Sequence, residues 1–235
     1  SLDFNKKTFK KYIELDEPNL DDNISDIDRI QRHIRNNFGY ENIEFSLNLL
    51  RKIPLVIRDN NFKVTITYEL KNNIVYLIDI NTGNTEDEFY GIAVDIGTTS
   101  VVVCLVNLKN NEIIGKESSG NAQIKYGADV INRIIYSTKK DGIKLLQHAI
   151  VEETINPLIE KVCNKNEIDK EYISYFVVAG NTTMSSLFLG VHADFLRQEP
   201  YIPPFVKSPN LSAHDIGLNI NKDATVYLAP SVASY

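Results

Sequence analysis

Residues 92–100 read Ile-Ala-Val-Asp-Ile-Gly-Thr-Thr-Ser, and a second apolar run from Val101 to Val106 follows at once. An apolar run that carries one carboxylate, Asp95, into a glycine and hydroxyl turn and then re-enters an apolar run specifies a β-hairpin. Such a hairpin suits a phosphate. Gly97 lets the backbone turn tightly and approach a ligand without a Cβ, and Thr98, Thr99 and Ser100 supply donors. Asp95 then stands where Mg²⁺ or its water shell takes an acidic oxygen. The competing reading is a structural hairpin whose Asp and Gly serve turn chemistry alone. The flanking strands and the unbroken Gly-Thr-Thr-Ser run favour phosphate.

At 235 residues the chain exceeds one average domain, so two units are expected. A hydrophobic content of 43% beside 24% charged residues supports a proper core. Net charge is −6 with Lys and Arg spread along the chain, so nucleic acid is not an expected partner. A nucleotide would have to be held locally, by backbone amides, hydroxyls and a metal ion. No apolar stretch reaches the roughly 20 residues needed to span a bilayer, so no membrane partner is expected. The opening Ser-Leu-Asp-Phe-Asn-Lys-Lys lacks the apolar core of a signal peptide, and the absent initiator Met suggests an artificial start. Cys104 and Cys163 are unpaired in spacing and read as packing thiols of a reducing cytoplasm.

In the front part, Phe9 to Leu15 reads as a strand, followed by a polar turn. Ser25 reads as an N-cap with Asp28 three residues on, and Ile24, Ile27, Ile30, Ile34 and Phe38 lie at helical spacing until Gly39. A second helix over Ser46 to Lys52 is expected to end at Pro54, with Leu55 to Arg58 adding at most a turn. Phe62 to Tyr68 and Ile74 to Ile80 read as strands joined by a polar turn. His33 and the acidic pairs Asp21, Asp22 and Asp26, Asp28 are the only site candidates here, and solvated helix ends and caps, in preference to a metal site, explain the carboxylates. The polar stretch Asn81 to Glu88 marks the domain boundary, giving units 1–86 and 87–235.

Beyond the boundary the order is strand (Tyr90 to Ile96), strand (Ser100 to Asn107), strand (Glu112 to Ser118), then helical sequence from Tyr126. That sequence breaks near Gly142 and resumes from Ile143 to Val162, where Pro157 predicts a kink or restart. Ile173 to Ala179 reads as a strand buried on both faces, and Asn181, Thr182 and Thr183 cap a short helix to Leu189. A Pro-rich irregular segment from Glu199 to Asn210 precedes a last strand, Thr225 to Leu228. This is the α/β order of a ribonuclease-H-like half domain, the repeated half of the actin, heat-shock chaperone and sugar kinase (ASKHA) superfamily.

Three strings carry a narrower resemblance: Tyr90 to Val103, Asn121 to Arg133 (Asn-Ala-Gln-Ile-Lys-Tyr-Gly-Ala-Asp-Val-Ile-Asn-Arg), and Val177 to Met184 (Val-Val-Ala-Gly-Asn-Thr-Thr-Met). Together they resemble the reductive activators of corrinoid proteins, and Leu20 to Ile30 is similar to the middle domain of those activators. The resemblance implies a redox ATPase that uses ATP and Mg²⁺ to return a corrinoid protein from cob(II)amide to cob(I)amide. It implies an electron entering through a [2Fe-2S] ferredoxin domain, whose four-cysteine pattern this chain lacks. It also implies a second ribonuclease-H-like half, so this chain is expected to hold half a nucleotide site and to be inactive alone.

Carried onto matching positions, the resemblance makes Asp95 the catalytic and Mg²⁺-side carboxylate and Gly97, Thr98, Thr99 and Ser100 the phosphate cradle. Gly180, Asn181 and Thr182 match the segment that approaches the cleft, with a helix cap as the equal alternative. Tyr126, Gly127, Asp129 and Arg133 match a family string without a derivable chemistry. His148, His192 and His214 have no partner at ligand spacing. The implied partner is a corrinoid protein or corrinoid-dependent methyltransferase system, with a homodimer as a further expectation. Two other readings stand beside this one. The chain could be a docking or dimerisation module for such a partner. A sugar or acyl-phosphate kinase fragment explains the hairpin but not the unit ahead of it.

Overall fold

A computed structural model describes residues 7–229, and these divide into one unit ending at Phe89 and another beginning at Tyr90. The elements of the first unit are β1 (Thr8–Glu14), α1 (Asp26–Phe38), β2 (Asn42–Glu44), α2 (Leu47–Asp59), β3 (Lys63–Lys71) and β4 (Ile74–Thr82). Its sheet runs β1-β3-β4-β2, antiparallel except for the β2–β4 pair. The Ser25 hydroxyl accepts from the Asp28 amide at 3.0 Å and starts α1, and Gly39 at φ +79° ends it with its N–H on Ile34 and Arg35 carbonyls.

Ile30 and Ile34 from α1 and Leu49, Ile53 and Ile57 from α2 pack on Val64, Ile66, Val75, Leu77 and Ile80. A bulge between Thr67 and Tyr68, opposite Asp79 and Leu77, shifts the β4 register, so that Leu77 and Ile80 share the core face despite their odd spacing. Asn72 and Asn73, both at positive φ (51° and 61°), make the two-residue turn between β3 and β4.

One expectation is corrected here. The second helix does not stop before Pro54 but runs through it to Asp59, because Leu49, Ile53 and Ile57 all sit at no more than 1% exposure on one face, and that packing outweighs one lost backbone bond. The boundary stretch Asn81 to Glu88 is itself built into the first unit. β4 extends to Thr82, Gly83 donates to the Lys63 carbonyl, the Thr65 hydroxyl donates to the Gly83 carbonyl, and Glu86 accepts from the Tyr12 amide at 2.8 Å.

The second unit contains β5 (Tyr90–Ile96), β6 (Ser100–Asn107), β7 (Glu112–Gly120), α3 (Val130–Ser137), α4 (Gly142–Ile150), α5 (Asn156–Lys165), β8 (Ile173–Ala179), α6 (Thr182–Leu189), β9 (Leu211–Ser212), α7 (Ala213–Ile216) and β10 (Thr225–Leu228). Its sheet order is β7-β6-β5-β8-β10-β9: an antiparallel meander of three strands, then β8 and β10 parallel to β5. This is the ribonuclease-H-like half domain of the ASKHA superfamily. Ile92, Val94 and Ile96 share a core with Val101, Val103 and Leu105, with Phe176 and Val178, and with Ile150, Ile155 and Ile159 of the helices.

Between α4 and α5 the chain makes a π-helical turn, Val151–Ile155, and α5 restarts with Pro157 in its first turn. The bulge removes the need for a hydrogen bond that Pro157 cannot donate. The short β9–α7 corner carries its own local signal. Ser212 and Asp215 form a reciprocal capping box. Among the described residues no helix is long and apolar enough to cross a membrane.

Candidate phosphate-binding hairpin

β5 alternates against the core until Asp95, the one exposed side chain of that strand. Among the described residues its carboxylate forms no hydrogen bond or ion pair. The turn that follows is closed by the Gly97 amide donating to the Ser100 carbonyl at 2.9 Å, and Ile96 pairs with Val101. Glycine is favoured here by space: a Cβ on residue 97 would lie 2.7 Å from the Ser100 carbonyl oxygen, which belongs to the backbone, so the turn itself would have to shift.

The turn is then fixed from one side. The Gly97 carbonyl accepts from Asn121 Nδ2 at 3.0 Å, the Thr98 carbonyl from an Arg133 terminal nitrogen at 2.6 Å, and the Thr99 carbonyl from the Asn121 amide at 2.8 Å. In a trans peptide the N–H points opposite to the C=O of the same plane. Tying the Gly97 and Thr98 carbonyls to Asn121 and Arg133 therefore turns the amides of Thr98 and Thr99 the other way. Thr99 and Ser100 are exposed and Thr98 half-buried. Consecutive outward amides flanked by hydroxyls are the donor arrangement that nests and glycine loops offer to anions.

The second string arrives at the neighbouring strand end. β8 lies parallel to β5 with Asp95 in register with Ala179, and a Cβ on Gly180 would meet Ile96 O and Met184 Cβ at 3.4 Å. Asn181 caps α6, its side chain accepting from the Met184 amide at 2.8 Å, and Thr182 is the first residue of that helix. Asp95, Gly97 and Gly180 are thus brought together at adjacent strand ends, while the oxygen of the Asn181 side chain is committed to the cap.

Sequence reasoning missed what holds the hairpin. Asn121 is 2% exposed, Gln123 1% and Arg133 0%, and Asn121 and Gln123 come from a 3-10 turn, Ala122–Tyr126, and its cap. The Arg133 Nε donates to the Gly127 carbonyl at 2.9 Å, and a Cβ on Gly127 would stand 2.7 Å from the Arg133 amide nitrogen, so Gly127 permits the close approach. Burial pushes the Arg133 pKa below the ordinary guanidinium value, with Asp129 acting in the opposite direction. The signal was present: one arginine inside the Val130, Ile131, Ile134, Ile135 run.

The other early candidates are spent on structure. Asp22 is bonded by both Arg29 and Arg32, Asp26 by Arg58, and His33 lies edge-on to Phe38 with ring centres 6.0 Å apart. His148 and His192 lie beside Glu153 and Asp194 at 3.4 and 3.5 Å. Burial pushes the Cys163 thiol up to about 11 and raises that of Cys104. Among the described residues no group of three or more His, Cys, Asp or Glu could hold a metal ion. A single carboxylate nevertheless fits Mg²⁺, which keeps several waters and takes its remaining ligands from substrate phosphates. A plant-type [2Fe-2S] cluster needs four thiolates, and two cysteines on separate elements do not fit it.

A family model described as the RACo middle region matches residues 90–235, and one described as the RACo linker region matches residues 1–87, so the likeness of Leu20 to Ile30 to a middle domain is corrected to the linker region. The corrinoid activation enzyme RamQ of Eubacterium limosum is 35% identical over 165 residues, which is 70% of this chain and 27% of RamQ. A solved structure of a reductive activator for a corrinoid, iron-sulfur protein superposes with a TM-score of 0.85 at 34% identity, covering 99% of this chain and 37% of that one. The chain therefore spans about a quarter to two fifths of the length of these relatives.

Proposed function

We propose a function from one premise, that the chain belongs to the RACo family, the reductive activators of corrinoid proteins. As part of such an activator, residues 90–235 supply the first half of a Mg²⁺–ATP site, and the whole protein uses ATP to return a corrinoid protein from cob(II)amide to cob(I)amide. Residues 1–86 serve as the linker domain. The observation that carries the reading is the hairpin whose Gly97 and Thr98 carbonyls are tied to Asn121 and Arg133, leaving the next amides free to face a ligand. Family membership leaves the kinase reading without support.

In this reading Gly97, Thr98, Thr99 and Ser100 hold the phosphates by backbone amides and hydroxyls. Asp95 takes Mg²⁺ or its waters. Gly180, Asn181 and Thr182 line the neighbouring strand end. A bound Mg²⁺ would neutralise phosphate charge as the terminal group is attacked. Electrons would reach the corrinoid from an iron-sulfur domain outside these residues.

The test is calorimetric MgATP binding to the full-length protein and to its Asp95→Asn variant. We expect the variant to bind at least tenfold more weakly, the order of effect for losing one charged contact to a nucleotide-bound metal. Unchanged binding and turnover in the variant would reject the phosphate assignment and leave the docking module as the better reading.

A further inference from the structure

From the phosphate reading of the hairpin we infer one thing more: Arg133 is the positioning residue of that site, a buried cation without a carboxylate partner whose charge is completed by the bound phosphate. Ile92 to Val106 contains no Lys or Arg, so the hairpin brings an acidic group, Asp95, and no cation of its own. The positive charge beneath it is Arg133.

Every acceptor around that guanidinium is neutral. Nε donates to the Gly127 carbonyl at 2.9 Å, one terminal nitrogen to the Thr98 carbonyl at 2.6 Å, and the other approaches Gln123 Oε1 at 3.4 Å and Met184 Sδ at 3.6 Å. Asp129 is four residues away, and its carboxylate is occupied as the α3 cap on the Asn132 amide at 2.8 Å. Among the described residues no carboxylate comes within ion-pair distance of Arg133.

An internal cation normally finds a carboxylate, because an uncompensated one is costly. A carbonyl could be held as well by an amide side chain. A guanidinium kept without a counter-ion is explained by an anion that arrives later. The route is short: Arg133 polarises the Thr98 carbonyl, and the Thr99 amide of the same peptide plane becomes the stronger donor on the opposite side.

The decisive measurement is MgATP affinity of the full-length protein carrying charge changes that leave Arg133 in place. Gln123→Glu sets a carboxylate against the guanidinium and is expected to weaken binding about tenfold, the scale of a unit charge acting over roughly 12 Å at an effective permittivity of about 20. Asp129→Asn removes the opposing charge while keeping a good N-cap, and is expected to bind equally or about two- to threefold more tightly. Arg133→Gln should weaken binding at least tenfold, with Arg133→Lys between it and the wild type. Gln123→Glu also gives up the Gln123 Nε2 donation to the Leu146 carbonyl at 3.0 Å, so a merely structural role predicts that loss too, but it does not pair it with an Asp129→Asn protein that binds at least as tightly as wild type. Gln123→Glu within twofold of wild type, or an Asp129→Asn loss as large as that of Gln123→Glu, overturns the inference while the phosphate reading stands. A wild-type protein that binds no MgATP overturns both.

Discussion

Each unit buries one arginine on the inner face of a helix, Arg29 on α1 at 1% exposure and Arg133 on α3 at 0%, and the two are treated in opposite ways. Arg29 donates to Asp22 Oδ2 at 2.8 Å, to the Asp22 carbonyl at 2.7 Å and to the Asp16 carbonyl at 3.1 Å; only its Nε is without an acceptor. Arg32 grips the same carboxylate from outside. That network is electrically closed. Arg133 has carbonyls, an amide oxygen and a thioether, and no carboxylate. Burial of a cation thus says little about function, whereas whether its counter-charge lies within the protein says a good deal.

The largest effect should come from cutting the closed network. Arg29→Met removes the buried one of the two α1 cations that hold Asp22 and strands the Asp16 and Asp22 carbonyls, for a loss of about 3 kcal/mol in urea unfolding. MgATP affinity of the full-length protein should stay within twofold. A large loss of affinity in that variant would erase the contrast between the two arginines.

Next in size is the hairpin itself. Gly97→Ala drives a Cβ to 2.7 Å from Ser100 O, so the turn must open or shift. We expect at least a tenfold loss of MgATP affinity with a stability cost of about 1–2 kcal/mol, the ordinary cost of local backbone strain. Unchanged calorimetric affinity would mean that the turn geometry is not what binds phosphate.

Much of this fold was legible because its signals are local. Ser25 and Gly39 bracket α1, the Tyr90–Ile96 and Ser100–Asn107 strands lie where alternation and β-branching put them, and Pro157 marks a restart. Pro54 misled because its cost is local while the packing that outweighs it is tertiary. The turn from Asp95 to Ser100 could be read as a hairpin because Gly97 and the apolar runs on either side of it are local signals. Arg133 could not, since its partner Thr98 lies 35 positions away and the absence of a carboxylate is visible only once the neighbours are placed.

The closed network also predicts a pH dependence. Hydrogen bonds from Arg32 and then Arg29 hold the Asp22 carboxyl well below the usual carboxylate range. A depressed folded-state pKa means the stabilisation is present above the unfolded value of about 3.9 and drains away as pH falls from there toward the folded value. Glu117, Glu153 and Glu160 are lowered by their lysine partners too, so the measurement is a difference. Urea midpoints of wild type and Asp22→Asn should diverge above about pH 4 and converge below it. Parallel curves would show that Asp22 adds nothing that titrates.

The smallest effect separates depth from partnership. Arg32 makes the better fork of the two, 2.9 and 2.8 Å to the two Asp22 oxygens, yet its side chain is 32% exposed where that of Arg29 is 1% exposed. Arg32→Lys keeps the charge and surrenders one of the two bonds, and water can take the place of what is lost. We expect the thermal midpoint to fall by less than about 2 °C, as for other solvent-screened pairs. If Arg32→Lys costs as much as Arg29→Met, geometry and not burial governs the network. The contrast with Arg133 would then have to rest on its missing carboxylate alone.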